Sequence, residues 1–236
     1  MKNPGDLPHP SVFVDAKRLE LIKGYRVHES RTPARPVRVV TPSQTIGPFF
    51  ALGLVSESDR DLARKVAGGP RAEGQPIVVS GRVTDENGKP VRKALIELWQ
   101  ANRWGKYEHP DDRTDAPLDP NFKGWGRLLT EEDGGYRFHS IKPGPYPNPG
   151  YDNWYRPPHI HYSIFAAGLM QRLITQMYFP GEELNDIDPI LNGIEDLDAR
   201  EALIARRLAD ERDGAHHYVF DIVLRGVAET PFFVDM

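Results

Sequence analysis

No cysteine occurs in the 236 residues. That removes a disulfide framework, a thiolate metal site and a cysteine nucleophile together, so any bound metal must be held by nitrogen and oxygen. Long apolar runs are missing too. The longest, such as Ile164 to Met170 with a glycine inside, fall far short of the roughly 20 residues that cross a bilayer. The opening Met1-Lys2-Asn3-Pro4-Gly5-Asp6 lacks the apolar centre of a leader peptide, and a soluble, cytoplasmic protein is expected. Basic excess is absent as well: 30 Lys and Arg stand against 34 Asp and Glu, for a net charge of −4. Without a basic cluster the chain lacks the electrostatic footprint for a phosphate backbone or an anionic membrane, and neither partner is expected.

What is present is an ordinary apolar content of 39% with 21 Gly and 22 Pro, the composition of a globular core interrupted by many turns. Residues 1–75 read as an extended arm that packs on the core or on a partner. Prolines at 4, 8, 10, 33, 36, 42 and 48 break every period there. Two short helices are predicted inside the arm, Asp15 to Lys23 and Asp59 to Val66, the second stopped by Gly68-Gly69. From Ile77 the period becomes two, with Ile77, Val79, Gly81 and Val83 on one face, and Asn87-Gly88 then signals a hairpin. Further strands are predicted at Ala94 to Trp99, Gly135 to Ile141, His159 to Phe165, Arg172 to Phe179 and His217 to Leu224. Short strands with Gly/Pro-rich connections and no alternating helices predict a mainly β fold, an antiparallel β-sandwich over residues 76–236. One helix is predicted there, about Asp196 to Ala209, with Leu197, Ile204 and Leu208 on one stripe.

The chemistry concentrates between Lys142 and His161. In a strand, residues i and i+2 face the same way, so His159 and His161 present two imidazoles side by side to a single ion. His216 and His217 are adjacent and face opposite ways, while His9, His28, His109 and His139 stand alone. A two-histidine site needs further ligands, and tyrosines crowd the approach: Tyr146, Tyr151 and Tyr155, with Tyr107 earlier. Ionising a tyrosine of pKa near 10 at pH 7 costs about 4 kcal/mol. A hard trivalent ion repays that twice where a divalent ion does not, so two tyrosinates would imply Fe(III). Rim tyrosines with hydroxyls in water are the competing reading. So is a Zn or Fe(II) site built on His159 and His161 with a carboxylate such as Asp152, and, from a different class, a transthyretin-like sandwich that only binds or assembles.

Several unlinked motifs run in order along the chain: Ser43-Gln44-Thr45-Ile46-Gly47-Pro48, Trp99-Gln100-Ala101-Asn102, Gly105-Lys106-Tyr107, Lys142-Pro143-Gly144-Pro145-Tyr146-Pro147, Arg156-Pro157-Pro158-His159-Ile160-His161, and Gln171-Arg172-Leu173-Ile174-Thr175-Gln176. Together they resemble the intradiol ring-cleaving dioxygenases, in particular the iron-bearing chain of the protocatechuate-cleaving branch. The resemblance implies a mononuclear non-haem Fe(III) held by Tyr107, Tyr146, His159 and His161, with Tyr107 and His159 equatorial, Tyr146 and His161 axial, and a hydroxide completing the sphere. It makes Arg156 and Gln176 residues that flank the substrate, with Trp99 and Tyr155 on the pocket wall. Charge agrees with the set. Two tyrosinates and one hydroxide neutralise a ferric ion, and a catecholate dianion can replace the hydroxide if Tyr146 leaves as a phenol, keeping a low-dielectric site neutral.

The implied reaction is cleavage of protocatechuate (3,4-dihydroxybenzoate) by O2 to 3-carboxy-cis,cis-muconate, in aromatic catabolism by the beta-ketoadipate route. A homologous alpha chain is the implied partner in a hetero-oligomer. Asn148-Pro149 stands where relatives commonly carry Trp and a polar or basic residue, and Tyr155 where Trp is usual. Those departures touch the ring substituent and keep another substituted catechol, such as a sulfocatechol, as the alternative substrate. No helical N-terminal dimerisation domain is read, which argues against the catechol and hydroxyquinol branch.

Overall fold

The computed structural model describes residues 53–148, 154–209 and 214–233, all inside the compact unit Thr45–Met236. The predicted helix Asp15 to Lys23, like Asp152 and Tyr151, lies outside the described residues. The strands are β1 (Pro76–Thr84), β2 (Leu95–Trp99), β3 (Trp125–Leu129), β4 (Gly135–Ile141), β5 (Tyr146–Pro147), β6 (Tyr155–Arg156), β7 (His159–Phe165), β8 (Leu173–Tyr178), β9 (Arg206–Arg207), β10 (His216–Val219) and β11 (Ile222–Val223). The helices are α1 (Pro189–Asn192) and α2 (Leu197–Glu201). One described sheet runs β11-β1-β10-β9 with β4 on the other side of β1, a second runs β3-β2-β7-β8, and β5 pairs with β6. The pairings are antiparallel except that β1 pairs in parallel with β10 and β11.

Alternation buries one face of each sheet in a common core. Ile77, Val79 and Val83 of β1 and Phe138 of β4 meet Ile96 and Leu98 of β2 and Ile160, Tyr162 and Ile164 of β7. Tyr162 sits at the centre, its ring against Tyr136, Phe138 and Phe220 at centroid distances of 6.2, 6.3 and 5.2 Å. Burying such rings contributes several kcal/mol and makes the sandwich the obligatory arrangement of the two faces. The opposite face of β7 carries His159 and His161. The Asn87-Gly88 turn is in place, with Gly88 at φ 74° and Asp85 O accepting from Gly88 N.

Two predicted helices are corrected. Asp59 to Val66 is a 3-10 turn over Glu57–Arg60 followed by irregular chain. Leu62 N there donates to His139 O, and Lys123 N donates to Leu62 O; tertiary hydrogen bonds win over local helix. Asp196 to Ala209 is helical only over Leu197–Glu201. Tyr178 N donates to Leu203 O and Ala205 N donates to Tyr178 O, so the chain is drawn out along β8, and Leu197 is left 69% exposed. Strand β3 has no counterpart in the sequence reading, because Gly126 interrupts its apolar pattern.

Candidate functional site

His159 and His161 project from the outer face of β7, where β2 and β8 hold the strand on both sides: Trp99 and Gln176 are the neighbours of His161 in register. Tyr107 arrives on one loop, and Tyr146 at the end of a second, where it opens the two-residue strand β5. Asn102, 1% exposed, shapes the first loop by accepting at Oδ1 from Trp104 N (2.9 Å) and Lys106 N (3.0 Å). Tyr107 N donates to Asp112 Oδ2 at 2.8 Å, and Lys106 Nζ donates to the Asp112 and Thr114 carbonyls at 2.8 and 2.7 Å. Gly105 is what lets the two loops meet. It has φ 76°, and a Cβ there would lie 2.2 Å from Pro145 O, a position open to glycine alone. The tyrosine rings then stand edge to face at 5.3 Å.

Polar atoms converge at this point. His159 Nδ1–H donates to Pro157 O at 2.7 Å, which fixes the tautomer and leaves Nε2 with its lone pair outward. That nitrogen lies 3.1 Å from Tyr146 Oη and 3.1 Å from His161 Nε2. Tyr107 Oη is sealed from solvent with no hydrogen-bond partner, an orphan that costs about 1–3 kcal/mol unless something else satisfies it. Burial pushes the Tyr107 hydroxyl well above the ordinary tyrosine range, the Tyr146 charge adding to it, and burial likewise raises Tyr146. Burial holds His159 well below the usual histidine value, with the His161 and Arg156 charges reinforcing it, and brings His161 down to about 4. The imidazoles are therefore neutral donors at pH 7.

A cavity of about 1220 Å³ opens against this cluster, lined by Tyr107, Tyr146 and His161, by the apolar Trp99, Trp125 and Ile174, and by charged side chains that include Arg113, Arg127 and Arg172. It exceeds the roughly 300–1,000 Å³ usual for one small ligand. Trp99, 46% exposed, stands edge-on to Tyr107 at 5.3 Å.

Residues 45–226 match the sequence profile of the family described as Dioxygenase. The protocatechuate 3,4-dioxygenase beta chain of Burkholderia cepacia is 45% identical over 211 residues, 88% of this chain and 89% of that one. The chain belongs to the intradiol dioxygenase family. The alpha chain of protocatechuate 3,4-dioxygenase from Pseudomonas putida is 38% identical, over 82% of this dioxygenase and 95% of the relative. Among solved structures, the dioxygenase domain of a carbohydrate-binding fusion protein from Streptomyces sp. SirexAA-E matches with a TM-score of 0.51 at 29% identity, covering 78% of this chain and 97% of that one.

Intradiol dioxygenases use non-haem iron, and the donor set suits such an ion. Among the described residues no group of three or more His, Cys, Asp or Glu could hold a metal, and the donors these residues set beside the two imidazoles are the phenols. With metal–ligand bonds of about 2.1 Å, ligands at right angles stand about 3.0 Å apart, close to the 3.1 Å spacings observed. An orphaned phenol beside the outward lone pair of His159 and the adjacent His161 nitrogen completes a cradle for a hard cation.

The other residues named from the sequence fall in different places. Arg156, 4% exposed, pairs with Tyr146 across β5–β6, and its Nη2 donates to Gln176 Oε1 (2.7 Å) and Tyr178 Oη (2.9 Å). Gln176 is itself buried, beside His161. Neither borders the cavity, nor does Tyr155, which is 49% exposed on β6. Sequence reasoning missed Asp188, fully buried against Arg156, and Tyr178, whose ring stacks on His159 at 5.7 Å. Asn102 ahead of Trp104-Gly105 carried a legible turn signal; Asp188 before Pro189 signals only a helix cap.

Proposed function

We propose that this dioxygenase cleaves protocatechuate with O2 to 3-carboxy-cis,cis-muconate at a mononuclear non-haem Fe(III) held by Tyr107, Tyr146, His159 and His161. The observation that carries the reading is that Tyr146 Oη and His161 Nε2 each lie 3.1 Å from His159 Nε2, with the sealed, partnerless Tyr107 Oη on the ring that packs against Tyr146. The ferric ion, when bound, would supply the charge that holds the catechol as its dianion and opens its ring to O2. The 45% identity to a protocatechuate 3,4-dioxygenase beta chain favours this ring substituent over a sulfonate. The likeness to both beta and alpha chains supports a heteromer with a homologous alpha chain.

The chain's own groups do the rest. Both phenols, raised by burial, give up their protons only to a strong cation, and Tyr146 Oη is the base that takes one back when a catechol arrives. Its position beside the cavity supports that role. The positive charge of Arg156 lowers the pKa of both tyrosines and both histidines, so it favours the phenolate and neutral imidazole forms that bind metal. The same charge, carried by a residue that does not line the cavity, would stabilise negative charge developing on the ring from a distance. Trp99 supplies an apolar wall, and Gln176 fixes Arg156. Oxygen uptake with protocatechuate by the iron-loaded protein, together with a red-brown tyrosinate-to-iron absorption that changes on adding it, tests the proposal. A colourless iron-loaded protein, or no uptake with iron in place, overturns it.

A further inference from the structure

Arg156 is an unusual participant in a reaction on a ring, because its charge is already answered. Asp188, 0% exposed, lies along one edge of the guanidinium: Oδ2 accepts from Nη2 at 3.3 Å, and Oδ1 stands 3.2 Å from Nε. The second contact is a charge pair without an aligned hydrogen bond. Nη2 also meets Gln176 and Tyr178, while Nη1 donates to no described residue. Asp188 is itself held. Its Oδ1 accepts from Ile190 N at 3.3 Å, and its carbonyl accepts from Asn192 N and Nδ2, both at 2.9 Å. A carboxylate so enclosed cannot follow a moving arginine; it dictates where the arginine sits.

We propose that Asp188 is the positioning residue for Arg156 in ring cleavage. It holds the Nε–Nη2 edge so that the guanidinium charge stays where it acts on the ligand cluster. The inference rests on the function proposed above and extends it to a residue outside the cavity. Neutralising Arg156 also serves the site's charge balance: an unpaired buried cation would add a full charge beside a centre whose ligands otherwise cancel the ion's. The field of Arg156 at all four candidate ligands means that a displaced guanidinium should be visible in the metal's own spectrum.

The test uses the iron-loaded enzyme in its native assembly, with rates taken per bound iron, for Asp188→Asn, Asp188→Glu, Arg156→Gln and the double variant. Asp188→Asn is expected to lower kcat roughly 10- to 100-fold, with KM changed less than about threefold, since the lost interaction matters in the transition state. Its tyrosinate absorption band should shift, and Asp188→Glu should recover part of the rate. The double variant should be no slower than Arg156→Gln, because Asp188 acts through the arginine. Wild-type kcat with an unmoved band in Asp188→Asn, or a double variant slower than Arg156→Gln by the full Asp188→Asn factor, overturns the proposal. Should Asp188→Asn not fold, the comparison of Arg156→Gln with the double variant, which removes both buried charges, still decides. A wild type that consumes no O2 with protocatechuate refutes the substrate instead, and the band comparison, which needs no turnover, continues to judge Asp188.

Discussion

His159 and His161 stand on one regular seven-residue strand, whereas Tyr107 stands on a loop and Tyr146 on the two-residue β5 at a loop's end, and their meeting depends on Asn102, Gly105, Asp112 and the approach of Pro145. The strand spaces its two imidazoles by the pleat alone, and neighbours on both sides keep it in place. The loops reach the same point through side-chain-to-backbone hydrogen bonds and one left-handed glycine. Nitrogen donors are thus preorganised by secondary structure, and oxygen donors by tertiary contacts that a single substitution can undo.

Removing a strand-borne donor should have the largest effect. His159→Ala is expected to reduce iron affinity by more than the roughly 100-fold that loss of an outer-shell partner costs, with ring cleavage lost; metal analysis after dialysis and an oxygen electrode measure both. Breaking the loops at their narrowest point comes next. In Gly105→Ala the Cβ would overlap Pro145 O, so iron content should fall while far-UV circular dichroism and the sandwich persist; full iron loading would show that the loop yields easily. Tyr146→Phe should act more gently, retaining iron, weakening the tyrosinate band and slowing substrate binding by about tenfold, the size of one general-base contribution at its low end. Stopped-flow mixing with protocatechuate reads that rate, and an unchanged rate would remove Tyr146 from its proton-accepting role.

The smallest effect concerns the iron-free protein. His161 is down at about 4 and His159 well below its usual value, so below pH 6.5 the unfolded chain binds protons that the folded chain refuses. The His161 contribution is intact above pH 6.5 and is lost as pH falls towards 4, at about 1.4 kcal/mol per pH unit, and that of His159 falls in the same direction. Thermal unfolding of the iron-free wild type and of His161→Gln across pH 4–7 checks the slope; equal slopes would contradict the burial of that imidazole.

The sequence was most legible where structure is local and periodic. β4 and β7 coincide with the predicted Gly135 to Ile141 and His159 to Phe165, because alternation there is unbroken and the His pair rides on it. The parallel pairing of β1 with β10 and β11 leaves no local trace, since its partners lie at the far end of the chain. The predicted helix over residues 196–209 failed for the same reason: Leu203 and Ala205 bond the backbone of Tyr178, which draws the chain out of a helix. At the site, spacing located the histidines, whereas the place of Tyr107 came only from resemblance. Asp188 was invisible, because nothing in an Asp-Pro pair tells which arginine, 32 residues earlier in sequence, will lie against it.

The pairing of Ile77 with His216 has a consequence during biosynthesis. At roughly 5–20 residues per second, ribosomes need on the order of ten seconds to make the chain between β1 and β10. Once β4 has been made it can shield one side of β1, while the other stays bare until β10 follows, an open template for other chains. Slow, non-local closure of this kind makes nascent molecules the aggregation-prone form, so yield on expression should respond to chaperones and to growth temperature more than to iron supply.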